Sequence, residues 1–254
     1  MAAGEQVTTN VNQFTVKVHH QFQFKDLQIT SQEVGRAMNL SRKEIDGFKP
    51  MIEAILSDLK SADGLECGMI IFPVDDLGTN DWITVDSVSL AVGKTIKQKL
   101  SGAQVIAIFI CTAGSELSSL PEQLMKTENY IESHIAETIG TLAVEKLANK
   151  LHHQILPNSG LNFTNRYSPG HCEWPLDDQQ KLFSLLPDNF CDIHLTESLM
   201  MQPTKSLSAI IGLGATVKYE KDDCKYCDYQ PTCNYKFFRK TQIADYQNLA
   251  TSNP

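Results

Sequence analysis

The sequence predicts a single α+β domain with a small Cys-rich appendage, and three stretches carry that prediction. "QVIAIFICTAG" (Gln104 to Gly114) is apolar at nearly every position, and a strand apolar on both faces belongs in the middle of a sheet. "FTVKVHHQFQF" (Phe14 to Phe24) alternates Phe14, Val16 and Val18 with polar neighbours, the period of two of a half-buried strand. A helical run from Glu128 to about His153 carries two apolar stripes: Ile131, Ile135, Ile139 and Leu142 on one side, Val144, Leu147 and Leu151 on the other. A helix with two such sides is sandwiched between layers.

The remaining elements follow in order. The first dozen residues are small and polar and read as a loose arm, 1–13. "ITSQEVGRAMNL" and "SRKEIDGFKPMIEAILSDLKSA" read as helices, each opened by a Ser with a Glu close behind as its cap. Two strand-like runs follow, "GMIIFPV" and "WITVDSVSL", and then "LAVGKTIKQKLSGA" as a helix closed by Gly102. Past the long helix comes "NRYSPGHCEWPLDDQQKLFSLL", a polar turn running into an amphipathic segment. "CDIHLTESLMMQPTKSLSAIIGLGATVKYEK" then reads as short strand-like pieces punctuated by Pro203, Gly212 and Gly214. No internal repeat and no Pro-, Gly- or Ser-rich linker divides the chain, so residues 14–222 form one domain and 223–254 a Cys-rich knuckle and tail.

Bulk properties narrow the function. The chain has 254 residues, 42% hydrophobic and 20% charged, enough to bury a full core without disulfide staples. With 22 Lys and Arg against 30 Asp and Glu, the formal charge of −8 opposes nucleic-acid binding, which calls for a basic face. No apolar run approaches the ~20 residues that span a bilayer, and "MAAGEQVTTNVNQF" has no signal-peptide pattern. The expected location is the cytoplasm. Seven Cys, three of them crowded into 224–233, suggest metal ligation rather than a disulfide framework.

Two groups of residues could carry chemistry. Arg166 stands just before a Ser168-Pro169-Gly170 turn. A guanidinium holds a carboxylate through two parallel hydrogen bonds, and a Gly lets the backbone approach a ligand closely; the alternative is an Arg paired with a surface acid. His171 could stack on a ligand or titrate near neutral pH, whereas Trp174 and the Leu182, Phe183, Leu185 and Leu186 cluster read as core. Glu145, three residues after Leu142, borders the first apolar stripe; it either snorkels at an interface or faces a cationic or hydroxylated ligand. The second group is Cys224-x2-Cys227-x5-Cys233, which supplies most of a tetrahedral thiolate shell, with Cys172 or Cys191 as candidates for the fourth ligand. Zinc and an iron–sulfur cluster both suit such a set.

Four segments, "WITVDSVSLAVGK", "VIAIFICTAG", "NRYSPGHCEWPLDDQQKLFSLL" and "LTESLMMQPTKSLSAIIGLG", resemble the activation (reactivation) domain of cobalamin-dependent methionine synthase in its stand-alone bacterial form. The resemblance runs from about residue 80 to 236 and is best over 80–222. It implies a central, mostly antiparallel, twisted sheet flanked by helices. It also implies binding of S-adenosylmethionine for the reductive remethylation of cob(II)alamin. By position, Arg166 matches the Arg that holds the ligand carboxylate, Ser168, Pro169 and Gly170 match an Ala-Pro-Gly turn, and Glu145 in "VEKLANKLHH" matches a ligand-facing Glu. His171 stands where the full-length enzymes carry Tyr, and Ile210 and Ile211 stand where they carry aromatics. No counterpart of the family's N-terminal ligand Asp is visible. The Cys knuckle is absent from the full-length enzymes and resembles an addition of the stand-alone branch. A chain of this length has no room for homocysteine, folate and cobalamin domains, so the resemblance implies action in trans on a cobalamin-binding methionine synthase, with an electron donor such as flavodoxin or ferredoxin. Two other readings compete: a metal-binding accessory or scaffold protein of corrinoid metabolism without methyl-transfer function, and a zinc-knuckle nucleic-acid binder, which the acidic balance opposes.

Overall fold

The computed structural model describes residues 16–77, 81–152, 160–220, 225 and 230–233. The expected N-terminal arm and Cys224 and Cys227 of the knuckle lie outside the described residues.

Hydrophobic alternation builds the sheet. Strand β5 (Val105–Thr112) is buried along its whole length. Its Val105, Ala107, Phe109 and Cys111 enter one core, and Ile106, Ile108 and Ile110 enter the other. It lies between β2 (Leu65–Asp76) and β9 (Ser206–Gly214), antiparallel to both. On the far side of β2, β1 (Val16–Phe22) pairs with Leu65–Ile71, while β3 (Ile83–Val85) pairs further along at Val74 and Asp76. β4 (Val88–Leu90) extends that edge, and β6 (Asn162–Phe163) closes the other edge against β9. Every pairing in this seven-stranded sheet is antiparallel. A separate two-stranded ribbon joins β7 (His194–Leu195) to β8 (Met201–Gln202). The expected α+β class, an antiparallel sheet flanked by helices, is therefore what the chain adopts.

Helices cover both faces. α5 (Tyr130–Lys150) lies on one face of the sheet, with α1 (Ser31–Ala37), α2 (Arg42–Asp58) and α4 (Gly114–Lys126) packed against it. This is the sandwiched helix its two stripes call for, except that Ile131 at its first turn is 48% exposed. On the opposite face, α3 (Gly93–Leu100) and α6 (Asp178–Ser184) bury Ile96, Leu100 and Leu182 with Trp174. No helix among the described residues is long and apolar enough to cross a membrane.

Four local expectations are corrected. α1 is capped by Thr30, not Ser31: the Thr30 hydroxyl accepts the Glu33 amide at 3.2 Å and the Glu33 carboxylate accepts the Thr30 amide at 2.8 Å. α2 does use Ser41 with Glu44, as its sequence suggests. "WITVDSVSL" is two strands rather than one, because Asp86 and Ser87 both turn left-handed (φ 46° and 65°) and fold a two-residue hairpin. The helical run of Glu128 begins only at Tyr130 and is preceded by a further helix, α4, which contains Pro121; packing along α5 holds α4 through that proline. Finally, Ser206–Gly214 is one continuous strand, and its glycines do not interrupt it: a side chain at Gly214 would strike the Gly102 carbonyl at 2.4 Å.

Candidate functional site

The segment after β6 continues along the sheet edge. The Thr164 amide donates to Gly212 O at 2.9 Å, and Tyr167 exchanges both backbone bonds with Ile210, at 3.0 and 2.8 Å. Alternation along an extended edge sends neighbouring side chains to opposite faces. Tyr167 enters the core under α3 and α6, and Arg166 turns to the other face and meets α5. There Arg166 Nη2 donates to Glu145 Oε2 at 3.1 Å, with the two side chains 8% and 20% exposed. The structure thus brings together two candidates 21 residues apart in sequence.

The pairing does not satisfy the guanidinium. Nη1 of Arg166 is buried and has no hydrogen-bond partner among the described residues. A charged donor held away from water without an acceptor costs about 1–3 kcal/mol or more. A planar fork with one arm on Glu145 and the other unmatched is a seat for an acceptor such as a carboxylate.

The turn that follows is bonded largely to itself. Ser168 Oγ donates to Ser208 O at 2.7 Å, the Gly170 amide to Trp174 O at 2.8 Å and the His171 amide to Ser168 O at 3.3 Å. Gly170 takes φ +89°, a conformation that favours glycine. Pro169 is buried and His171 is exposed. Cys172 and Glu173 are also left-handed (φ 51° and 70°) and pass so close to Gly93 that a side chain there would sit 2.9 Å from Glu173 Cβ. Cys172 is half-buried on this turn.

Several residues that position the site carry no local signal in the amino-acid sequence. Asp178 is 4% exposed and accepts from the Trp174 indole at 3.0 Å, from the Ala91 amide and from Lys181 at 2.7 Å. It ties the end of the turn to the entry of α3. Asn165 clasps the backbone of Glu220 through two bonds of 2.8 Å. Buried His152 bonds Thr164 O at 3.0 Å and meets Phe163 and Tyr219 edge-on. An "N-R" pair at a sheet edge and an aspartate four residues after a Trp are legible only once the partners are known.

The remaining cysteines fall in different places. Cys191 is 4% exposed and lies near His19 and Glu66, away from the edge that holds Arg166. Burial, reinforced by the Glu66 carboxylate, pushes its thiol up to about 12. Cys67 and Cys111 face each other across β2 and β5 and donate to Leu147 O and Val144 O of α5, each at 3.8 Å. The hydrogen bond to Cys111 and burial hold the Cys67 thiol far above its ordinary range. Cys233 is free and half-buried.

Fold and edge site together define an α+β domain with a buried, half-matched guanidinium beside its outermost strand. No family model matches the sequence, and no curated protein matches it. Among solved structures, the chain is similar to the MetH reactivation domain bound to AdoHcy, with a TM-score of 0.61 and 16% sequence identity. The match covers 94% of this chain and 90% of that chain. At this identity the likeness establishes the fold alone: the described residues have an architecture similar to that of the MetH reactivation domain.

Proposed function

We propose that the protein binds S-adenosylmethionine through Arg166, Glu145, the Ser168–Pro169–Gly170 turn and His171. We further propose that it supports reductive remethylation of cob(II)alamin on a separate cobalamin-dependent methionine synthase. The observation that carries this reading is the unmatched, buried Nη1 of Arg166, in a fold similar to one solved with AdoHcy. AdoHcy and S-adenosylmethionine share the amino-acid carboxylate, an acceptor to which such a nitrogen donates. Glu145, already on the other arm of the guanidinium, sets the orientation of the fork and places a negative charge near a sulfonium or ribose. S-adenosylmethionine supplies the methyl group and the partner's cobalt the nucleophile, while this chain binds and orients; no general acid or base is required. The electron comes from a donor such as flavodoxin or ferredoxin, and the setting is the cytoplasm.

The assay combines this protein, a methionine synthase loaded with cob(II)alamin, S-adenosylmethionine and a reductant. Methylcobalamin is expected to form only when this protein is present. Formation at the same rate in its absence refutes the reading. Absence of S-adenosylmethionine binding in a direct titration leaves the metal-binding accessory role instead.

Cys224, Cys227 and Cys233 belong to this proposal as a metal centre, with Cys172 or Cys191 as fourth ligand. Cys172, half-buried on the turn itself, is our choice of the two, since Cys191 lies by His19 and Glu66, away from the edge that holds Arg166. A cluster there would relay the electron and zinc would pin the tail, because zinc has no redox change. Metal analysis and visible absorption after anaerobic purification decide: iron with labile sulfide supports the relay, zinc without a charge-transfer band removes it, and no metal removes the centre.

A further inference from the structure

A second cluster lies apart from Arg166, on the face of the sheet under α3 and α6. Cross-strand register sets Gln21 opposite Glu66 and His19 opposite Gly68, so alternation brings His19, Gln21, Glu66 and position 68 to one face. Above them the chain makes a short 3-10 turn, Phe190–Asp192, with Asn189, Cys191 and Asp192 all left-handed. That turn comes down directly onto Gly68: a side chain at this position would lie 2.4 Å from Phe190 Cζ and 2.6 Å from Cys191 Sγ. The bare glycine is what lets the Cys191 sulfur rest on the sheet between an imidazole and a carboxylate.

The donors converge. His19 Nε2 is 2.8 Å from Glu66 Oε2, and the ligand atoms of His19, Glu66 and Cys191 all lie within 4.8 Å of one another. Gln21 Nε2 donates to Glu66 Oε1 at 3.0 Å, which fixes the carboxylate and leaves its other oxygen toward His19 and Cys191. Lys17, the nearby cation, is stacked over the Phe190 ring at 4.8 Å. We propose that His19, Glu66 and Cys191 form a zinc site, three protein ligands leaving a fourth position open to water or a further donor. One nitrogen, one oxygen and one sulfur suit a borderline ion with tetrahedral preference, and the Gln21 contact is the outer-shell support such sites carry. On binding, the metal replaces the thiol proton, which is released to solvent. Its ligands come from β1, β2 and the turn at 190–192, so the ion staples the first described strand to a segment about 170 residues later in the chain. The site is independent of S-adenosylmethionine binding.

Cobalt(II) serves as the spectroscopic probe under reducing conditions. The full chain carrying Cys224→Ser, Cys227→Ser and Cys233→Ser is titrated so that the tail contributes no thiolate. One equivalent is expected to bind, with a thiolate-to-cobalt charge-transfer band and the intense visible bands of a four-coordinate ion. The band should disappear in Cys191→Ser, and Gln21→Ala should weaken binding about tenfold or more. His19 is exposed, so His19→Ala should abolish tight binding while leaving the fold intact by circular dichroism. No saturable band, or a band that survives Cys191→Ser or His19→Ala, overturns the site. If the triple tail variant does not fold, the readout becomes zinc content of wild type against His19→Ala. A difference of one equivalent supports the site, and equal content overturns it.

Discussion

Replacing Arg166 with alanine will lower the affinity for S-adenosylmethionine by about 30-fold at the least, and up to several thousand-fold, as measured by calorimetry. The estimate follows from the cost of removing one partner of a desolvated charge pair, about 2–5 kcal/mol. The Arg166 side chain is only 8% exposed and its Nη1 has no acceptor among the described residues, so a carboxylate bound there is shielded from competing water. Arg166→Lys keeps the charge but loses the planar fork, and its affinity should fall between the two. The alanine variant also frees Glu145 from its 3.1 Å contact, so circular dichroism must accompany the titration. Equal affinity in a folded Arg166→Ala protein removes this residue from the site.

The second large effect is on stability. Asp178→Ala should destabilise the protein by about 3 kcal/mol, a fall in Tm of roughly 6–12 °C for a domain of this size. The cost arises because two N–H groups, the buried Trp174 indole and the Ala91 amide, lose their acceptor together. Asp178→Asn retains one carbonyl oxygen and should lose less. The same change should weaken S-adenosylmethionine binding, since Gly170 is bonded to Trp174 O and the turn takes its shape from that anchor. A melting temperature within about a degree of wild type would show that Asp178 does not hold the turn.

How far the sequence speaks can be judged from single residues. β5 is legible because every position before Thr112 is apolar, and the Ser41 cap because Glu44 stands three residues on; both signals are local. Asp86 and Ser87 are ordinary residues whose left-handed turn is imposed by the pairing of β3 with β4, so the hairpin is not legible. Arg166 could be singled out by its type and its turn, but its bond to Glu145 depends on an edge strand and a helix meeting in space. Likewise, His19, Glu66 and Cys191 acquire meaning only from the β1–β2 register and the empty side chain of Gly68.

The position of β9 has a consequence for how the protein is made. This strand lies directly beside the central β5 yet spans Ser206–Gly214, so it leaves the ribosome about a hundred residues after its neighbour. Until then β5 presents an unpaired edge that is apolar up to Thr112, the kind of template on which nascent chains aggregate. Non-local strand pairing of this sort is slow. A chain arrested before residue 206 should therefore be chaperone-bound or insoluble, although it already contains α5 and the whole of the Arg166 turn.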